Sequence, residues 1–209
     1  MVIFSEQLKD QISEELKTNA LVRILASEAD YFSVANSLPF KVEYHENEII
    51  TMGLASLWHE AIIMNLGGIL HNLFFSNDDL LVLGSNAGVQ IPKFEGDYYM
   101  PDVLVVKGNP VFVGQSNCII SNPFIIVEIL SPSTKSFDLS EKLPEYKLIE
   151  SLQQLIYINP QKVSVSVFSR SENPNIWLNQ DFYDLQDTII IGGSSILLSA
   201  IYRKIKFSI

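Results

Sequence analysis

Glu128 is the residue of this chain whose surroundings demand chemistry. It interrupts the apolar run Ile125-Ile126-Val127-Glu128-Ile129-Leu130. A carboxylate buried there alone would be strongly destabilising, so it must hold a proton, pair with a cation or bind a metal ion. Asp102 poses a related problem. It opens the run Val103-Leu104-Val105-Val106 directly behind Pro101, whose missing N–H favours a strand edge or start. If the two runs are neighbouring strands, both carboxylates project into one cleft. Two oxygen ligands, completed by waters and a substrate phosphate, furnish a Mg²⁺ site. The residues alone leave an alternative open, in which Glu128 pairs with a core Lys or Arg and Asp102 caps a turn.

Asp138, Lys142 and Tyr146 follow at intervals of four, which places them along one face of a helix. Lys142 could then lean toward the carboxylates and stabilise charge developing on a phosphate. A solvated ion pair beside a packed tyrosine fits the same spacing. Pro144 restricts the helix, because it is easily tolerated only if the helix begins near Ser140 or later. Glu43 and His59 are distal ligand candidates, although polar residues at element ends are usually unremarkable. His45 and His71 have no spacing that suggests a metal site. The P-loop, the G-x-G-x-x-G fingerprint and H-E-x-x-H are all absent. Gly84-Ser85-Asn86-Ala87-Gly88 carries its serine one position too early for a nucleophile elbow.

The elements that must position these residues can be read from periodicity. Residues 5–29 fit one amphipathic helix through Leu8, Ile12, Leu16, Leu21 and Leu25, and residues 32–40 form a connector. Residues 41–52 read as a β-hairpin turning at Glu46-Asn47. Ser56 caps a helix over residues 57–75, with Gly67-Gly68 inside it to permit close packing. Strands follow at 80–83, 89–91, 103–106 and 124–130, the last two continuous enough to be buried on both faces. A turn at Ser131–Thr134 leads to a helix within residues 138–150, then strands at 154–158 and 163–168. The C-terminal segment reads as shorter strands and loops, ending in an apolar stretch at 196–202. This order indicates an α/β (α+β) domain with one mixed sheet.

Composition sets the limits. The 209 residues are 47% hydrophobic and 18% charged, a globular balance. No apolar stretch spans a bilayer, and the first residues lack a secretory signal, so the expected location is cytoplasmic. A single cysteine, Cys118, excludes an internal disulfide and any multi-cysteine zinc site. Net charge is −10, which argues against a broad electrostatic grip on nucleic acid. Any such role needs a local basic patch, a metal ion or a partner.

Taken in order, Val42-Glu43-Tyr44, Asn47-Glu48-Ile49, His59, Met100-Pro101-Asp102 through Val106, and Asn122-Pro123 through Thr134 resemble a known family, with Asp138, Lys142 and Tyr146 beyond. The chain is similar to the Uma-type family, described as putative restriction endonucleases and placed in the PD-(D/E)XK nuclease superfamily. The resemblance covers roughly residues 40–170. It implies a restriction-endonuclease-like domain over 40–209, a mixed central β-sheet flanked by helices, behind an N-terminal helical extension over 1–39. It also implies a metal-dependent endonuclease that hydrolyses DNA. Asp102 and Glu128 would be catalytic and hold Mg²⁺ or Mn²⁺, Glu43 would complete the metal shell, and Lys142 would be the catalytic cation. The position two after Glu128 is Leu130, where the superfamily carries lysine, and Lys142 looks like a migrated replacement. That departure, with the acidic charge, leaves a second expectation: a nuclease-fold module that binds nucleic acid or protein without cutting. Nucleases that cut both strands often dimerise, so a homodimer is the assembly to test.

Overall fold

The computed structural model describes residues 2–35, 37–38, 41–92 and 97–207. Helix α1 (Val2–Glu15) leads to strand β1 (Leu21–Leu25), helix α2 (Glu28–Ala35), and the hairpin β2 (Val42–His45) and β3 (Glu48–Met52). Helix α3 (Leu57–Phe74) precedes β4 (Leu80–Leu83), β5 (Gly88–Gln90), β6 (Tyr98–Tyr99), β7 (Val103–Lys107), β8 (Ile119–Ile120) and β9 (Pro123–Ile129). A helical run then comprises α4 (Lys135–Phe137), a π-turn (Asp138–Lys142) and α5 (Leu143–Tyr146). Strands β10 (Gln154–Ile158), β11 (Val165–Arg170), β12 (Trp177–Phe182), β13 (Thr188–Ile191) and β14 (Ser194–Leu197) end on helix α6 (Leu198–Ile201).

Two mixed sheets form, where one was expected. The first runs β1-β3-β2-β6-β5-β8 and the second β12-β11-β10-β9-β7-β4, with β13-β14 as a separate ribbon. The split follows from strands of two or three residues, such as β5, β6 and β8, which are too short to show a period. The single helix read over 5–29 also divides. Residues 21–25 alternate, with Val22 and Ile24 buried while Leu25 is 79% exposed. That period of two marks a strand, and β1 pairs antiparallel with β3. Part of the connector at 32–40 belongs to α2, and Asn36, Pro39 and Phe40 lie outside the described residues.

The layers explain what faces what. Ile62, Leu66, Leu70 and Phe74 of α3 pack with Val103, Val105, Ile125, Val127 and Ile129 on one face of the second sheet. Its other face presents Leu104, Val106, Ile126 and Leu130 to Ile50, Val89 and Tyr99 of the first sheet. The far face of the first sheet buries Val22, Val42, Tyr44, Ile49 and Tyr98 against α1 and α2. The space between the sheets is therefore where any polar side chain projecting inward would be trapped.

Candidate active site

Strand alternation decides the site. On β9, Ile126 and Leu130 face the first sheet, so Glu128 must face it too. Leu104 and Val106 face the same way, which puts Asp102 on that side. The strands β7 and β9 are antiparallel neighbours with Val103 opposite Val127, so the next position pairs Asp102 with Glu128. Asp102 N donates to Val127 O at 3.1 Å, and Ile129 N donates to Asp102 Oδ2 at 2.8 Å. From the facing sheet, Val42 and Tyr44 of β2 point away and Glu43 points in, its Oε1 accepting from Met100 N at 2.8 Å. Glu43, Asp102 and Glu128 are all buried and line one cleft of about 1690 Å³, together with Lys142 and His59.

Lys142 arrives from the helical run. Pro144 cannot donate the hydrogen bond an α-helix needs, and the chain widens just before it into a π-turn, where Leu143 N reaches Asp138 O. The helix thus starts at Lys135, earlier than the start near Ser140 expected from Pro144, and the π-turn absorbs the mismatch. Lys142 Nζ lies 2.8 Å from Glu43 Oε1, 3.3 Å from Glu128 Oε1 and 3.3 Å from Asp138 Oδ1. Tyr146 OH donates to Glu128 Oε1 at 2.7 Å, and Thr134 Oγ1 donates to Asp138 Oδ2 at 2.7 Å.

Asp102 has its own cations. Lys41 Nζ is 2.5 Å from Oδ1, and His59 Nε2 is 3.1 Å from Oδ2. His59 is delivered by the capped start of α3, where Ser56 Oγ accepts from His59 N at 3.2 Å. Burial works against an ionised Asp102, but the His59 hydrogen bond and the Lys41 charge outweigh it and hold the carboxyl well below the usual range. Glu128 goes the other way. Burial pushes it up to about 8 against the pull of Lys142, helped by the charges of Asp138, Asp102 and Glu43. Burial also opposes the charged form of Lys142, yet the surrounding carboxylates keep it cationic, its pKa well above the ordinary lysine value. Two neighbouring carboxyls are thereby split in affinity for protons, an arrangement typical of functional sites.

The structure brings together Asp102, Glu128, Lys142, Glu43 and His59. His71 lies apart on an exposed stretch of α3 against Phe75, and Cys118 is half-buried and bonded locally through Ser116. Lys41 was not expected; a lysine opening a strand carries no mark in the sequence. Three carboxylate-bearing positions on hard oxygen chemistry suit Mg²⁺ or Mn²⁺. Glu43 Oε2 is buried with no hydrogen-bond partner among the described residues, the kind of atom a cation would satisfy.

Comparison with known proteins gives a consistent picture. Residues 29–194 match the model of the Uma2 family, described as "putative restriction endonuclease". The uncharacterized protein sll1609 of Synechocystis sp. is 31% identical over 140 residues, covering 67% of this chain and 77% of that protein. A second uncharacterized Synechocystis protein, slr1290, is 27% identical over 169 residues, covering 80% and 86%. The crystal structure of a putative nuclease belonging to DUF820 from Anabaena variabilis superposes with a TM-score of 0.67 at 15% identity, covering 84% of this chain and 97% of that one. That likeness establishes the fold. With most of its length matched by the family model, the chain belongs to the Uma2 family of putative restriction endonucleases.

Proposed function

We propose that this protein is a metal-dependent endonuclease that hydrolyses DNA phosphodiester bonds. The observation that carries the reading is the pairing of Asp102 with Glu128 across β7 and β9, inside a cleft, with Lys142 on Glu128. Asp102, Glu128 and Glu43 would hold Mg²⁺ or Mn²⁺, which when bound supplies an activated water and neutralises charge on the scissile phosphate.

The chain's own groups divide the remaining work. Lys142, fixed by three carboxylates, offers a positive charge that need not reorganise as negative charge grows on the phosphate. Glu128 carries its proton near neutrality in the metal-free site and would give it up on becoming a ligand. Lys41 is 24% exposed at its side chain and can leave Asp102 to meet a backbone phosphate at the cleft mouth. These lysines supply the local positive charge that a chain of net charge −10 needs near its substrate. Nucleases that cut both strands often dimerise, so a homodimer is the assembly to test with this proposal. No helix among the described residues is long and apolar enough to cross a membrane.

A second reading is a nuclease-fold binding module that no longer cuts. It is favoured by the self-contained ion pairs, in which Lys41 occupies Asp102 and Lys142 occupies Glu43 and Glu128. Incubation of supercoiled and single-stranded DNA with purified protein in Mg²⁺ or Mn²⁺ separates the two. Metal-dependent cleavage by wild type that Asp102→Asn and Glu128→Gln each abolish supports the nuclease. Cleavage that survives either substitution, or the absence of cleavage in both metals, refutes it.

A further inference from the structure

Strand β2 sends two side chains into the space between the sheets: Glu43, which reaches the active site, and His45 two positions on. His45 meets Asp97, just ahead of β6, and Glu145 of α5. All three residues are buried, and one ligand atom from each lies within 4.8 Å of the others. We propose that His45, Asp97 and Glu145 form a second site, separate from the active site, for a first-row divalent cation of the Zn²⁺ class.

The spacing of the donors is the first argument. His45 Nδ1 is 3.5 Å from Asp97 Oδ2 and 3.5 Å from Glu145 Oε2. Two ligands bound at ~2.1 Å to one tetrahedral ion stand about 3.4 Å apart. The Tyr99 hydroxyl lies 2.7 Å from Nδ1 and donates to Glu145 Oε2, which makes it a fourth donor within reach.

The second argument is an orphaned atom. Asp97 is 2% exposed. Its Oδ1 accepts from Glu46 N at 3.0 Å, while its buried Oδ2, the atom facing His45, has no hydrogen-bond partner among the described residues. Leaving a buried carboxylate oxygen unbonded is costly. The His45 imidazole, whose pKa burial lowers but Asp97 and Glu145 raise overall, stands at ion-pair distance, 3.5 Å from Oδ2, and does not give it a full hydrogen bond. An ion among the three donors does.

The third argument lies behind the histidine. His45 Nε2 is 3.2 Å from Glu141 Oε2, and Glu141 is gripped by Arg23 at 2.9 Å. Nε2 donates to Glu141, and because the Tyr99 hydrogen goes to Glu145, Nδ1 carries a proton toward Tyr99 that an ion bound between Asp97 and Glu145 would displace. A histidine ligand backed by a carboxylate is the usual support of a metal centre. One imidazole and two carboxylates favour Zn²⁺ or Mn²⁺ over Mg²⁺. The ion would tie β2, the approach to β6 and α5 together, and so steady the helical run that carries Lys142.

Calorimetric titration of chelator-stripped protein with Zn²⁺, in excess Mg²⁺, tests this. Wild type and Glu128→Gln should each bind one equivalent, and Zn²⁺ should raise the melting temperature of both. Asp97→Asn should bind at least about tenfold more weakly. A His45→Gln variant, checked for folding by near-ultraviolet circular dichroism, covers the case in which Asp97→Asn fails to fold. The proposal is overturned if wild type takes up no Zn²⁺ beside Mg²⁺, or if either folded variant binds Zn²⁺ like wild type. Mg²⁺-dependent DNA cleavage is read separately, so either conclusion stands or falls without the other.

Discussion

The Lys142 ammonium stands 3.3 Å from the Glu128 carboxylate, although the two are brought together from a helix and a strand. In the superfamily pattern that this chain resembles, the lysine shares the strand with the acidic residue, two positions on. Here Leu130 holds that position and packs between the sheets, while the π-turn presents a lysine from outside the strand. On the proposed reading, Lys142 would supply from the helix the charge that the strand lacks.

Removing that charge should be costly. Lys142 is the buried cation against the Glu43 and Asp138 carboxylates, with the protonated Glu128 beside it, and deleting one partner of a buried ion network typically destabilises by ~3–5 kcal/mol. Lys142→Met should lose stability of this order in chemical denaturation at neutral pH. Mn²⁺ should restore part of it, because a cation can replace the missing charge. A loss below ~1 kcal/mol would show that the network contributes little.

Glu128 should carry a pH signature. Its carboxyl is raised from the ordinary 4.5 to about 8, so the stability it contributes is fully present below pH 4.5 and is lost as pH rises through 8. Glu128→Gln should flatten the decline of metal-free stability across that window. Metal binding at pH 7 should also release a proton in wild type but not in Glu128→Gln, measured by calorimetry in buffers of different ionisation enthalpy.

Lys41 and a cation compete for Asp102 Oδ1. Lys41→Met should tighten Mn²⁺ binding by the worth of a partly exposed ion pair, ~1 kcal/mol or about fivefold. The same substitution should weaken DNA binding and lower its salt dependence. Unchanged metal affinity would mean that Lys41 does not guard the site.

Two glycines separate packing from backbone. A Cβ on Gly68 of α3 would meet nothing within 4 Å, so the pair Gly67-Gly68 is not required by close packing as its position suggested. Gly68→Ala should stabilise by ~0.5–1 kcal/mol. Gly192 has φ +55°, and a Cβ there would lie 2.7 Å from Phe74 Cζ. Gly192→Ala should destabilise by more than ~1 kcal/mol. Thermal melts of the two variants with opposite signs would bear out both assignments.

Why some of this could be read from sequence is a physical matter. A carboxylate inside an apolar strand contradicts its surroundings, and that contradiction is visible wherever Glu128 and Asp102 stand. The hairpin 41–52 and the capped helix from Ser56 likewise follow from local chemistry, observed as Glu46 and Asn47 at positive φ and the Ser56 cap. Lys142 was reached through a spacing of four, even though the helix carrying it is part π. The division into two sheets, the strand at 21–25 and the role of Lys41 depend on tertiary pairing that leaves no local mark. The His45–Asp97–Glu145 group is the clearest case. Its members come from three segments, and His45 alone has no spacing that announces a ligand.

The central claim is that Asp102 and Glu128 share a cation. Crystals soaked in Mn²⁺ and measured at the manganese absorption edge test it directly. The account predicts an anomalous peak between the two carboxylates, with Lys41 moved off Asp102, and its disappearance in Asp102→Asn. Well-ordered crystals with no manganese in that cleft, and Lys41 and Lys142 still seated on the acids, would contradict it.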